Sequence, residues 1–158
     1  MDNCVFREDL IWVNEEYSNK EDLFRVIGSR LYELGIVKDS FVEGLIQREM
    51  DYPTGLPTMP YAIAIPHTDS IHVNNLAVGF VKLKEPIKFY NMGNKNLELD
   101  VHFVFVLCLK KAEYHMKILT SLIQMFQDNE TMKELKELND VDSIYKFFTS
   151  KCVIELDD

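Results

Sequence analysis

Residues 101–109 read VHFVFVLCL, an almost unbroken apolar run rich in β-branched and aromatic side chains. This composition predicts a β-strand. Because nearly every position is apolar, and not only every second one, both faces of the strand are expected to be covered. The run therefore indicates a sheet enclosed between two layers, as in α/β proteins.

Further strands are predicted before this run. The segments are AIAI at 62–65, LAVGFVKL at 76–83 and PIKFY at 86–90, which is followed by a turn at NMGN. The stretch YPTGLPTMPY, residues 52–61, is rich in proline and contains a glycine. Because proline has no backbone N–H and both proline and glycine interrupt regular structure, a loop is predicted there. It leads directly into AIAI.

Helical patterns lie on both sides of the strands. Ser18 and Glu21 have capping-box spacing, and an apolar stripe then runs to Gly35, while Ser40 with Glu43 begins a second, shorter stripe. After the strands, helical periodicity returns from Met116 to Phe126, from about 130 to 138 and from 141 to 148. This order predicts an α/β, single-domain sandwich with a central mixed β-sheet flanked by helices.

The chain has 158 residues and a formal net charge of −9 at pH 7. This length suits one domain, residues 1–158, that can bury a core without metal or disulfide support. The negative charge would repel phosphate backbones and anionic lipids. It therefore argues against nucleic acid and bare membranes as partners and favours a basic protein surface.

Cysteine usage and the N-terminus indicate a cellular location. Cys4, Cys108 and Cys152 are widely separated, and an odd number leaves at least one thiol unpaired, which fits a reducing compartment. The opening MDNCVFREDL lacks the pattern of a signal peptide, and no apolar run approaches the roughly 20 residues of a membrane span. The sequence therefore predicts a soluble cytoplasmic protein with no direct membrane insertion.

Two of the four histidines occupy positions that suit chemistry. His67 follows Pro66 at the end of the AIAI strand, which gives it a firm mount at a sheet edge; the alternative is a turn histidine whose ring binds a backbone carbonyl. His115 sits where a helix begins, beside free N–H groups that suit an anion; the alternative is an ordinary surface residue. His102, inside VHFVFVLCL, is interpreted as a hydrogen-bonded strand residue without chemistry.

The segment HTDSIH suggests a different function. His67, Asp69 and His72 could together hold a metal ion, which would make the chain a metal-dependent hydrolase. The signal is weak, because no helix is predicted there to bring the ligands onto one face and no HExxH-like pattern accompanies it. The sequence therefore predicts no metal and no cofactor.

Several motifs together resemble a known family. They are RE in QREMDYPTG (Arg48 and Glu49), AIAIPHTD, PIKFYNMG and EYHMKILTSLIQMFQD. This combination resembles the enzyme IIA domains of the bacterial phosphotransferase system (PTS), of the fructose/mannitol type. HTDSIHV and FYNMG are most similar to the galactitol-specific branch. The resemblance covers about residues 10–148, and IAIPH is its most specific element.

The resemblance implies a phosphotransferase component that carries a phosphoryl group in sugar uptake. His67 would accept the group from the phosphocarrier protein HPr and pass it to a cysteine of a separate enzyme IIB, which serves the membrane enzyme IIC. His115 would hold the phosphoryl oxygens, and Arg48 would supply positive charge. A regulatory protein of the same fold, acting through phosphorylation-dependent protein binding, is the alternative within the family.

The chemistry of imidazole agrees with such a relay. Its pKa near ~6.5 makes it a neutral nucleophile near physiological pH and also a good leaving group. A backbone carbonyl that fixed Nδ1–H of His67 would leave Nε2 free to attack. The sequence has no P-loop or glycine-rich nucleotide loop, so ATP is not predicted as the donor.

Overall fold

The computed structural model describes residues 5–151 of the chain. Within this range the strands are β1 (Ile11–Glu15), β2 (Gly55–Leu56), β3 (Ala62–Ala64), β4 (Ala77–Asn91) and β5 (Asn94–Cys108). The helices are α1 (Lys20–Glu33), α2 (Phe41–Asp51), α3 (Ala112–Phe126), α4 (Asn129–Glu137) and α5 (Val141–Lys151), with short 3-10 turns at Glu8–Leu10 and Ser70–His72.

A long antiparallel hairpin of β4 and β5 forms the centre of the sheet. Its pairing runs from Ala77 opposite Cys108 to Asn91 opposite Asn94. LAVGFVKL and PIKFY, predicted as two strands, belong to the single strand β4. The register shifts between Lys82 and Ile87, around Pro86, because proline has no N–H to donate to the ladder.

Parallel strands flank the hairpin on both sides. β1 pairs with β4, with Ile11 opposite Phe80, and β3 pairs with β5, with Ile63 opposite Phe103. β2 pairs antiparallel with β3 and meets the end of β4. The predicted mixed sheet is thus confirmed. The loop prediction for 52–61 misses only the two residues of β2.

Each face of the sheet carries its own hydrophobic core, as the apolar run of β5 predicts. Alternate residues of β5 face opposite layers: Phe103, Phe105 and Leu107 pack with α3, α4 and α5, whereas Val104, Val106 and Cys108 pack with α1 and α2. The Cys108 thiol is free and buried. Cys4 and Cys152 lie outside the described residues. The predicted α/β sandwich is confirmed.

Two helix starts differ from the sequence interpretation. The cap of α1 is Asn19, not Ser18, because the Asn19 side chain accepts a hydrogen bond from the Asp22 N–H. The capping box predicted for Ser40 and Glu43 is wrong, because the Ser40 hydroxyl is engaged by the His72 ring. Among the helices of residues 5–151, none is long and apolar enough to cross a membrane.

Candidate functional site

His67 is held by the backbone of the strand that precedes it. The Leu107 N–H donates to the Pro66 carbonyl at 3.0 Å, which extends the pairing with β5 beyond the end of β3. His67 Nδ1 lies 2.9 Å from the Ile65 carbonyl oxygen. Because a carbonyl oxygen only accepts, Nδ1 carries the hydrogen and Nε2 keeps its lone pair. The alternative interpretation of His67, a turn histidine whose ring binds a backbone carbonyl, is thus confirmed, and the same hydrogen bond leaves Nε2 without a proton.

His115 faces His67 from a different element. It lies in the first turn of α3, which begins at Ala112. The two imidazole rings are 4.8 Å apart between centroids and nearly perpendicular, at 78°. His67 is buried, with 8% of its surface exposed, whereas His115 is partly exposed. The fold thus brings together two histidines that the sequence separates widely.

Both histidines are held toward their neutral forms. Burial lowers the pKa of His67 from 6.5, and the nearby His115 and Arg48 lower it further, against the opposing effects of the Ile65 carbonyl and Asp69. Burial and Arg48 also lower the pKa of His115. Since a neutral imidazole has a free lone pair and an imidazolium does not, the lowered pKa favours the form of His67 that can act as a nucleophile.

Arg48 brings a permanent positive charge to the same place. It lies in the last turn of α2, with its guanidinium 3.9 Å from the Asp69 carboxylate and 5.1 Å from the centre of the Tyr52 ring. A cavity of about 410 Å³ separates it from the histidines. Its lining consists of Arg48, His67, Thr68, Asp69, Ser70, Ile71, Leu109, Lys111 and His115.

Lys111 is a lining residue that the sequence interpretation missed. It occupies the N-cap position of α3, directly before the turn that carries His115, and its ammonium lies 5.5 Å from the centre of the Tyr114 ring. The signal was available in the sequence, because KK follows the apolar run of β5 and precedes the helix. The cavity therefore combines the cations Arg48 and Lys111 with the Asp69 carboxylate and two imidazoles whose pKa is lowered.

The remaining two histidines do not line this cavity. His72 Nδ1 is 2.7 Å from the Ser40 hydroxyl, so its ring is fixed against the start of α2. His102 is partly buried in β5 and packs edge-on to Tyr61, at 5.1 Å between ring centres. Within residues 5–151, no three histidine, cysteine or acidic side chains are grouped so as to hold a metal ion.

This arrangement suits the transfer of a phosphoryl group. Such transfer depends on aligning the nucleophile and on stabilising negative charge on the phosphoryl oxygens. His67 offers one oriented lone pair, and a guanidinium can bind two oxygens at once in a fork. His115 adds a polar ring opposite His67.

Comparison with known proteins agrees with this chemistry. A family model described as "Phosphoenolpyruvate-dependent sugar phosphotransferase system, EIIA 2" matches residues 4–151. The galactitol-specific EIIA component of the PTS system of Escherichia coli strain K12 is 26% identical over 158 residues, which are 100% of both chains.

Solved structures share the fold. The Escherichia coli complex of enzyme IIAMTL and phosphorylated enzyme IIBMTL matches with a TM-score of 0.75 and 22% identity, covering 92% of this chain and 99% of that one. The nitrogen regulatory protein IIA-Ntr from Neisseria meningitidis matches with a TM-score of 0.73 and 21% identity, covering 90% and 95%. Because the family model spans nearly the whole sequence, the chain belongs to the EIIA 2 family of the phosphoenolpyruvate-dependent sugar phosphotransferase system.

Proposed function

We propose that His67 accepts a phosphoryl group from phosphorylated HPr and passes it to a cysteine of an enzyme IIB. One observation carries this proposal: the Nδ1–H of His67 is bound to the Ile65 carbonyl, which leaves the Nε2 lone pair as the nucleophile of a cationic cavity. Attack by Nε2 forms the new N–P bond as the bond between phosphorus and the donor breaks. Nδ1 keeps its proton, so the step requires no separate base.

The cavity residues would act on the transferring group. Arg48 and Lys111 supply positive charge, and His115 faces the nucleophile as a hydrogen-bond donor to the phosphoryl oxygens. Asp69 lies 3.9 Å from Arg48, so the arriving phosphoryl group competes with this carboxylate for the guanidinium. In the second step the cysteine sulfur attacks phosphorus, and the Nε2–P bond breaks to return neutral His67.

Family membership and charge support the proposed partners and sugar. A net charge of −9 favours docking to basic surfaces on HPr and on enzyme IIB. Full-length similarity to a galactitol-specific component supports uptake of galactitol or a related sugar through a membrane enzyme IIC. Such a relay operates in the cytoplasm, where the donor and acceptor proteins meet.

A regulatory function is the competing proposal within the family, and the nitrogen regulatory protein shares the fold. The two functions differ in the second step, because a transport component must deliver its phosphoryl group to an enzyme IIB. Rapid transfer to an enzyme IIB encoded beside this chain supports transport. A stable phosphoprotein that binds other proteins instead would favour regulation.

The first step is tested by intact mass after incubation with phosphoenolpyruvate, enzyme I and HPr. We expect one phosphoryl group, labile in acid and stable in base, on the wild type and on His102→Ala. His102→Ala is the matched control, because this histidine does not line the cavity. We expect no label on His67→Ala. Unchanged labelling of His67→Ala would remove His67 from the proposal.

The hydrolase alternative with His67, Asp69 and His72 is tested separately. His72 is bound to Ser40, so the three side chains serve different contacts in the fold. We expect protein purified without added metal to contain less than one equivalent of zinc or another transition metal. A full equivalent that is lost in His72→Ala would favour the hydrolase.

A further inference from the structure

Glu49 is a buried acidic residue next to Arg48 in the sequence. Only 3% of its surface is exposed. Its two carboxylate oxygens bind one residue: the Thr54 N–H donates to Oε2 at 2.8 Å, and the Thr54 hydroxyl donates to Oε1 at 2.7 Å. Glu49 therefore ties the end of α2 to the beginning of β2.

The hydrogen bonds continue from Thr54 to the nucleophile. The Thr54 carbonyl accepts from the Ile65 N–H at 3.2 Å, and the Ile65 carbonyl accepts from His67 Nδ1 at 2.9 Å. Strand pairing of Gly55 with Ala64 supports the same juxtaposition. A connected path thus leads from the Glu49 carboxylate to the imidazole ring.

Stability alone does not explain a carboxylate at this position. Burial raises the pKa of Glu49 to about 7, so the ionised form is costly there. Replacing a buried charge by a neutral side chain of similar shape is often neutral or stabilising. The two hydrogen bonds nevertheless fix both the backbone and the side chain of Thr54.

We propose that Glu49 is a positioning residue for His67: by fixing Thr54 it sets the place of the Ile65 carbonyl, which holds the imidazole in the Nδ1–H form with Nε2 free. The reactive tautomer is thereby specified from outside the cavity. This inference rests on the proposed phosphorylation of His67 only for its functional consequence, since the tautomer is a property of the unphosphorylated chain.

The decisive measurement is the tautomer of His67, read from imidazole ¹⁵N shifts at a pH where the ring is neutral. We expect Glu49→Ala to lower the fraction of the Nδ1–H form. Glu49→Gln should restore it, because its amide oxygen can accept from the Thr54 N–H while its NH₂ donates to the Thr54 hydroxyl. Glu43→Ala is the matched control, since Glu43 is an exposed residue of the same helix.

The functional readout is single-turnover acceptance of phosphate from phosphorylated HPr. We expect Glu49→Ala to slow acceptance by about ten- to a hundredfold, because misplaced reacting groups are penalised on this scale. For Glu49→Gln and Glu43→Ala we expect acceptance rates within about twofold of the wild type, because neither change misplaces the reacting groups. A tautomer shift in Glu49→Ala with no labelling of the wild type would disprove the proposed function and leave the positioning intact.

An unchanged tautomer in folded Glu49→Ala would overturn the inference. If circular dichroism shows that this variant does not fold, Thr54→Val takes its place, since it removes the hydroxyl and keeps the N–H. For Thr54→Val we then expect a smaller decrease in the Nδ1–H fraction of His67. Wild-type ¹⁵N shifts in Thr54→Val would contradict the inference.

Discussion

At the scale of single residues, two imidazoles lie beside two cations and one carboxylate in the lining of the cavity. Burial lowers the pKa of both His67 and His115. A phosphoryl group on His67 would bring roughly −1.5 to −2 charges into this space. Arg48 and Lys111 line the same cavity and carry positive charge that would offset this negative charge, with Asp69 opposing them.

His115 provides the first prediction. We expect His115→Ala to accept and pass on phosphate about 10²- to 10³-fold more slowly, because one positioned donor is lost while the nucleophile remains. His115→Gln should recover part of the rate through its amide N–H. Quenched-flow transfer from HPr, then to an enzyme IIB, measures both steps. If His115→Ala blocked labelling and His67→Ala retained it, the two assignments would be reversed.

Arg48 provides the second prediction. Arg48→Lys keeps the charge and loses the planar fork, so we expect slower transfer with an unchanged fold. Arg25→Lys is the matched control, because Arg25 lies on the exposed face of α1 and pairs with Asp22 at 3.5 Å. The comparison uses transfer rates together with circular dichroism spectra. Wild-type rates in Arg48→Lys would exclude Arg48 from phosphoryl binding.

At the scale of elements, α2 contributes to the site through its last turn, which places Arg48 at the cavity and Glu49 against Thr54. At its other end the N-cap residue Ser40 contacts the His72 ring, outside the cavity lining. Adjacent residues of one helix thus face different surroundings, since successive side chains point about 100° apart. A displacement of α2 would move the Arg48 charge and disturb the His67 tautomer at the same time.

The elements also show what the sequence could and could not predict. β5 was predictable because its pattern is local and unbroken, and the His67 mount was predictable because proline ends the strand. β1 was missed, since IWVNE is short and is stabilised as a strand only by parallel pairing with the distant β4. The contact of Glu49 with Thr54 was also missed, because a proline-rich loop has no periodicity from which to infer a partner.

The third prediction concerns the pH dependence of stability. Burial raises the pKa of Glu49 from 4.5 to about 7, so folding favours the protonated carboxyl. The stability gained from the protonated carboxyl is complete below pH 4.5 and is lost as the pH rises through 7. A pKa shift of this size corresponds to about 3 kcal/mol in the free energy of unfolding. Relative to Glu49→Gln, the wild type should therefore lose stability over this range.

Urea unfolding at about pH 4.5 and pH 8 measures this difference in the free energy of unfolding. The Gln variant removes the ionisation of Glu49 and can keep two hydrogen bonds to Thr54, so the way the difference between the two proteins changes with pH reports on this carboxyl. Glu43→Gln, on the exposed face of the same helix, should follow the wild type at both pH values. Parallel pH profiles for the wild type and Glu49→Gln would show that the carboxyl is not perturbed.

At the scale of the whole molecule, two hydrophobic cores share one sheet. One core includes Phe105, which contacts the rings of Phe80, Phe126 and Phe148. Phe6 stacks on Phe148 with ring centres 4.2 Å apart, so the beginning and the end of the described chain meet in this core. The site lies where the layers converge, with His67 after β3, Arg48 from the α2 layer and His115 from the α3 layer.

The long hairpin of β4 and β5 also has a kinetic consequence. Its strands adjoin in sequence, so they can pair early, whereas β3 and β1 must close much longer loops. In pulse-labelling hydrogen exchange, we expect the β4–β5 amides near the turn to be protected before the Leu107 amide, which donates to the distant Pro66 carbonyl. Simultaneous protection would contradict this order. Because the His67 mount would then form after the hairpin, a partly folded chain would not yet compete for phosphoryl donors.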